Sequence, residues 1–192
     1  MKHAPKHLKG IIKGSYAMMH FKKGWCDHIG NSRVAFSWAL LFNVLAVPLS
    51  VYVLPSANVP EEALTTVDQL LLKGVMIPLV ALVVLALAAC HRRHHKFALI
   101  YAGITYVGFV IALVLWGVEA VMNLYNHSLY AQDAPMLAYS LLVGAVLWMI
   151  MVIAFVFKTA LEIGAAMSLL MASVLLFVLI AGQLLLQMTL FG

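Results

Sequence analysis

The stretch that decides the fold is LLLKGVMIPLVALVVLALAAC at 70–90, HRRHHK at 91–96 and FALIYAGITYVGFVIALVLWGVEAVM at 97–122. Two long apolar runs are interrupted only by a short, basic, histidine-rich segment. A helix needs about twenty apolar residues to cross about 30 Å of hydrocarbon, and neither run alternates as a half-buried strand would. Inside lipid every backbone amide must be satisfied within its own segment, so both runs read as membrane-spanning helices joined by a tight turn.

The same criterion, carried outward, predicts five spans, at roughly 34–54, 70–90, 97–122, 135–157 and 164–190. The segments between them are loops rather than domains: 55–68 with Pro55, Asn58, Pro60, Glu61 and Glu62; then 91–96, 123–133 and 158–162. Composition agrees, with 65% hydrophobic residues, 10% charged and a mean hydropathy of +1.02, where a soluble domain is about half apolar and a quarter charged. A soluble fold would leave large apolar patches in water. The expected fold is therefore all-α, a polytopic transmembrane bundle. Secreted disulfide scaffolds, disordered tails and conventional soluble enzymes are excluded, while channels, transporters, membrane enzymes, receptors and complex subunits stay open.

Charge sets the expected sidedness. Of the 12 Lys and Arg, Lys2, Lys6, Lys9, Lys13, Lys22, Lys23 and Arg33 precede the first span, and Arg92, Arg93, Lys96 and Lys158 fall in the even-numbered turns. Lys73 alone falls on the other side, beside the acidic Glu61, Glu62, Asp68 and Asp133. The positive-inside rule then predicts an inner N-terminus and, with five spans, an outer C-terminus at Gly192. The net +5 points to anionic lipid headgroups rather than nucleic acid, because the cations cluster beside a membrane segment. No signal peptide is expected: the leader has no short apolar core before the first span, which itself serves as the targeting signal.

Residues 1–33 form a basic leader. Leu8, Ile11, Ile12 and Met19 recur near helical spacing among Lys6, Lys9, Lys13, Lys22 and Lys23, the pattern of an interfacial helix with its apolar side in the headgroup layer and its lysines on anionic lipid. Gly10 and Gly14 weaken that helix, and the alternative is a loosely ordered arm that only fixes topology.

Candidate chemistry is sparse. Cys90, His91, His94 and His95 crowd the second turn, at 91–96 on the expected inner side, with His20, Cys26 and His28 in the leader on the same side. Thiolate and imidazole suit zinc or copper, but the spacing matches neither CxxC nor HExxH, and Arg92, Arg93 and Lys96 would repel an incoming cation. The competing reading is a cationic stop to the second span. No span carries an interior histidine, which argues against a bundle haem. Glu119 and Glu162 form no acid/base pair at membrane depth. No cofactor and no enzymatic activity are expected.

The deep polar residues are neutral: Asn43, Thr105, Gln183 and Gln187. A proton relay would need ionisable groups there; Asn43 and Gln183 instead suit hydrogen bonds between helices. Ser140 with Gly144, Ala160 with Gly164, and Gly164 with Ser168 make small-xxx-small steps for close packing, within the bundle or against another protein. Pro48 and Pro78 could kink their spans, and Trp38, Trp116 and Trp148 could anchor at the interface or pack. Cys26 and Cys90 share the inner side, where thiols stay reduced. Asn126-His127-Ser128 matches the glycosylation sequon.

A basic leader running into closely spaced spans resembles the Yip1 family of small polytopic membrane proteins, including its bacterial branch. The likeness lies in GWCDHI at 24–29, in the turn at 90–96 leading into FALIYAG at 97–103, and most of all in 148–168, where a span ends in FKTALEIG at 157–164. The third span lacks the proline expected near its outer end, and the turn histidines have no counterpart in the family. The resemblance implies a membrane organiser or adaptor without enzymatic activity, in a bacterial inner membrane rather than a eukaryotic endomembrane, and it assigns no functional residues. Three functional classes follow: a scaffold or accessory subunit binding lipid, other membrane proteins or its own copies; a small transporter or channel subunit with a path beside Asn43 or Gln183; and a metal- or haem-binding subunit of a redox assembly.

Overall fold

The computed structural model describes residues 4–29, 32–52, 66–126 and 134–191. Their order is α1 (Ala4–Met19), α2 (Trp25–Ile29), α3 (Ser32–Tyr52), α4 (Thr66–Cys90), a 3-10 turn (His94–Lys96), α5 (Phe97–Asn126), α6 (Ala134–Leu161) and α7 (Ala165–Phe191), with no strand among the described residues. Four stretches are long and apolar enough to cross a membrane: Leu70–Cys90, His94–Val114, Val143–Leu161 and Ala165–Leu186. α3 carries a shorter apolar stretch, Arg33–Ala46.

The five long helices close a ring in which α3 packs on α5, α5 on α6, α6 on α7, α7 on α4 and α4 back on α3, with α4 also touching α5. α5 is the hub, since 56% of its apolar stretch is buried against 12–33% for the other three. Every residue from Leu99 to Val107 is buried, so this part of α5 is enclosed on all sides, as expected of a helix that is apolar all round. Large apolar residues such as Leu82, Phe177 and Leu185 point outward, as they must when the surrounding solvent is hydrocarbon and inter-helix affinity comes from close packing rather than escape from water.

Several helices run past their expected ends, α4 beginning at Thr66 and α5 continuing to Asn126, and the leader is arranged differently from the expectation. The turn expected at 158–162 is shorter, because α6 continues to Leu161; Phe157, Ala160 and Leu161 are buried, and this packing carries the helix past the charge of Lys158. Lys158 in the last turn also complements the helix dipole. The leader is not a single segment lying apart: α1 and α2 form a helical hairpin packed against α5 and α6. Gly10 and Gly14, unfavourable in an isolated helix, are what permit it, since a Cβ at Gly10 would run into the backbone of His28 and one at Gly14 would lie 2.7 Å from the Ile29 side chain.

The ends of α1, α4 and α6 share one device. Phe21, Arg92 and Glu162 have φ of 52°, 56° and 57°, and after each the chain returns a hydrogen bond to the helix: Lys22 N to Ala17 O at 2.8 Å, Arg93 N to Ala88 O at 2.9 Å, Ile163 N to Lys158 O at 3.3 Å. This left-handed cap normally takes glycine. Arg93 and Glu162, adjacent to or within two of these caps, pair at 3.0 Å and tie the turn after α4 to the turn after α6.

Lys2, Glu61, Glu62, His127, Ser128 and Asp133 lie outside the described residues, as do the side chains of Lys6, Pro48, Lys73, Trp116, Glu119 and Gln187.

Candidate functional site

Two regions carry polar chemistry: the end of the bundle capped by the leader, and a cavity within the ring. At the cap, Trp25 is fully buried. Its Nε1–H donates to Thr159 Oγ1 at 2.7 Å, and that hydroxyl donates to Phe155 O at 2.7 Å. A buried indole needs such a partner. The ring reaches Gly103, where a Cβ would lie 3.2 Å from Trp25 and from Val156 and 3.3 Å from Met18 Sδ. Phe21 adds an edge-on contact to Phe155 at 5.6 Å between ring centres. The apolar side of the leader thus faces protein, with Ile11, Ala17, Met18, Trp25 and Ile29 in the core.

The opposite side of the hairpin is exposed and mixed. Lys9, Lys13, Lys22 and Lys23 are exposed there, together with Ile12 at 60% and Tyr16 at 56%. Lys22 Nζ sits 5.3 Å from the Tyr16 ring centre, a cation–π distance, and the His20 ring, one helical turn after Tyr16, lies 4.1 Å from it between centres. Cations beside exposed apolar side chains are the ingredients of an interfacial surface.

The histidines of the turn after α4 do not converge with other ligands. Cys90 is exposed, His91 Nδ1–H donates to Leu87 O at 3.1 Å within its own helix, and the rings of His94 and His95 stand 6.1 Å apart on the surface. Among the described residues no three His, Cys, Asp or Glu side chains are grouped to hold a metal ion. Cys26 is half-buried, and burial pushes its thiol above the ordinary value; Lys96 opposes this and Asp27 adds to it.

Inside the ring, Asn43 Nδ2 donates to Tyr101 Oη at 2.9 Å and to Thr105 Oγ1 at 3.2 Å, joining α3 to α5. Tyr106 Oη adds a second link by donating to Ala35 O at 2.7 Å. Tyr101 and Tyr106 escaped the sequence reading; the available signal was Tyr101 and Thr105 four apart on one face of an apolar run, where a buried hydroxyl requires a partner. The small-residue steps fall in different settings. Ser168 is buried and bonds Ala165 O at 2.8 Å, whereas Ser140 and Gly144 are exposed, and a Cβ at Gly144 or Gly164 would meet nothing within 4 Å. Gly182 is packed tightly against α4, since a Cβ there would lie 2.7 Å from the Leu79 side chain.

Beside Asn43 lies a cleft of about 530 Å³, walled by all five long helices and partly open. Among the described residues its polar lining is Asn43, Thr105 and Gln183; the rest, including Phe42, Met76 and Phe109, is apolar, with no ionisable side chain. Counting 1.5 Å per residue from the leader-capped end, Thr105 lies about 12 Å along α5 and Gln183 about 27 Å along α7, so the cleft spans the middle of the bundle.

Comparison of the chain with protein-family models, curated proteins and solved structures finds no match.

Proposed function

We propose that this chain is a non-enzymatic integral membrane scaffold or accessory subunit of a larger membrane complex, Yip1-like in pattern, in a bacterial inner membrane. In this reading it crosses the membrane five times with its leader inside and Gly192 outside. α3 supplies the fifth span, since the 21 residues of Ser32–Tyr52 reach about 31 Å at helical rise.

The observation that carries the reading is the folded leader. Trp25 seats the hairpin on the bundle, so Lys9, Lys13, Lys22 and Lys23 stand beside Ile12 and Tyr16 on a fixed surface rather than a tail. Each cation near an anionic leaflet is worth about 1 kcal/mol, and the exposed apolar residues add burial in the headgroup layer. The exposed backbone at Gly144 leaves room for another helix to approach.

Two measurements test it. Reporter fusions after residue 29 and at Gly192 should report opposite sides of the membrane; the same side for both would refute five spans. Hydrogen exchange in nanodiscs should protect the exposed face of α1 more with phosphatidylglycerol than with phosphatidylcholine, and a Lys9→Gln, Lys13→Gln, Lys22→Gln, Lys23→Gln variant should lose that difference. Equal protection in both lipids removes the headgroup role.

A second reading, a small transporter or channel subunit, draws support from one observation: Asn43 and Gln183 line the same cleft. Counter-flow of solute in liposomes, absent without protein, is its test.

A further inference from the structure

We propose that the cleft between the five long helices is a binding site for a neutral, lipid-soluble molecule carrying a hydroxyl or carbonyl oxygen, taken up from the bilayer and oriented by Asn43, Thr105 and Gln183. This goes beyond the scaffold reading and needs neither a partner protein nor transport, only that the ring of helices sits in lipid.

The size fits first. A volume of about 530 Å³ falls in the range of pockets that enclose a small molecule, and the wall is overwhelmingly apolar with a few placed polar groups, the usual composition of such sites.

Charge then fixes the class. Among the described lining residues there is no Lys, Arg, His, Asp or Glu, so an ionised ligand would meet no counter-ion from them, which costs far more than burying a neutral hydrogen-bonding one. A pure hydrocarbon would waste the polar lining. The Asn43 amide is already held in place by Tyr101 and Thr105, so its orientation is set before a ligand arrives.

Gln183 supplies the independent observation. It lines the cleft, is exposed and makes no hydrogen bond among the described residues, although it still lies within the apolar stretch Ala165–Leu186, where an unpaired amide is costly. An oxygen-bearing ligand satisfies it. Gln183 and the Asn43–Thr105 pair sit about 15 Å apart along the bundle, so the favoured ligand is elongated, with an oxygen at one end reaching either polar station.

Access from the bilayer is consistent with the partial opening of the cleft and with the small buried fraction of the α4 and α7 stretches that flank it, 12% and 17%. Gly108 lies on its wall, and a Cβ there would meet nothing within 4 Å, so a larger residue at 108 projects into free space rather than into a neighbouring helix.

The test uses the full chain in nanodiscs with three photoactivatable diazirine probes of equal chain length: oleyl alcohol, oleate and octadecene. Oleyl alcohol is expected to label cleft-lining peptides saturably, with competition by unlabelled oleyl alcohol, and at least tenfold more than oleate. Gly108→Leu should cut that labelling at least tenfold with an unchanged thermal melt; Ala46→Leu, on the α3 wall, serves if Gly108→Leu does not fold. Gln183→Leu should lower the preference for alcohol over octadecene at least threefold. Labelling that persists in the filled variants, or that is equal for oleate or octadecene and the alcohol, overturns the proposal and leaves the cleft as a groove for ordinary acyl chains. Either result is independent of the topology and headgroup tests, so failure here and failure of the scaffold reading are distinguishable.

Discussion

Replacing Trp25 with alanine should release the leader from the bundle while leaving the bundle itself intact. The indole is fully buried, touches Gly103 and Met18, and donates to Thr159. Truncating a packed tryptophan costs about 3–5 kcal/mol, of which the hydrogen bond accounts for about 1 kcal/mol. Thr159 keeps its own bond to Phe155 O, so little is added for an orphaned hydroxyl. At 1.4 kcal/mol per factor of ten, leader opening should rise about 10²- to 10³-fold, up to the protection α1 has to lose. Amide hydrogen exchange of the full chain in nanodiscs reads this directly: amides at 11–18 should lose two to three decades of protection, and those of α7 none. Trp25→Phe should lose about one decade, and Gly103→Leu, which drives a side chain into the indole, should resemble Trp25→Ala. A change below threefold in Trp25→Ala would refute the reasoning, because it would mean that lipid rather than Trp25 holds the leader down.

Further outcomes follow from single contacts. Asn43→Leu removes two bonds between α3 and α5 and should destabilise the bundle by about 1–3 kcal/mol, at about 0.6–1.7 kcal/mol per bond, measured by reversible unfolding in mixed micelles; no loss would show the amide to be idle. Arg93→Gln breaks an ion pair whose partners are 39% and 65% exposed, so its effect should stay within a few tenths of a kcal/mol and vanish in high salt. Arg92→Gly relieves a left-handed residue and should stabilise by up to about 1 kcal/mol. For Cys26 the protonated thiol is favoured in the fold, so its contribution is full below the ordinary thiol value and is lost as pH rises through the raised one. Maleimide labelling of Cys26 should therefore turn on at higher pH in the folded chain than in the SDS-unfolded chain, and Lys96→Gln should move it higher still; equal midpoints would contradict the burial.

How much was legible depends on which force acts. Helix positions in lipid follow from apolar run length, since each segment must satisfy its own backbone, and four of the expected spans coincide with long apolar helices. The ends shifted where packing outweighed local polarity, as at Lys158, carried inside α6 by Phe157 and Leu161. Asn43 was legible as a polar residue in an apolar run, but its partners Tyr101 and Thr105 lie far along the chain. Gln183 was legible for the same reason, yet its sharing of a cleft with Asn43 was not. Trp25 gave no signal, because an interface tryptophan and a buried one look alike in sequence.

Taken alone, the sequence determined that this is a helical, membrane-type chain with a basic leader, because composition, run length and charge asymmetry are local sums that need no knowledge of neighbours. Only the tertiary structure decided that the leader folds back onto the bundle and that five helices enclose a cleft. Those facts depend on which faces meet: Gly10 and Gly14 admitting α2, Gly103 admitting Trp25, Gly182 admitting Leu79. A missing side chain is visible in any sequence, but what comes to fill its place is set by residues distant along the chain.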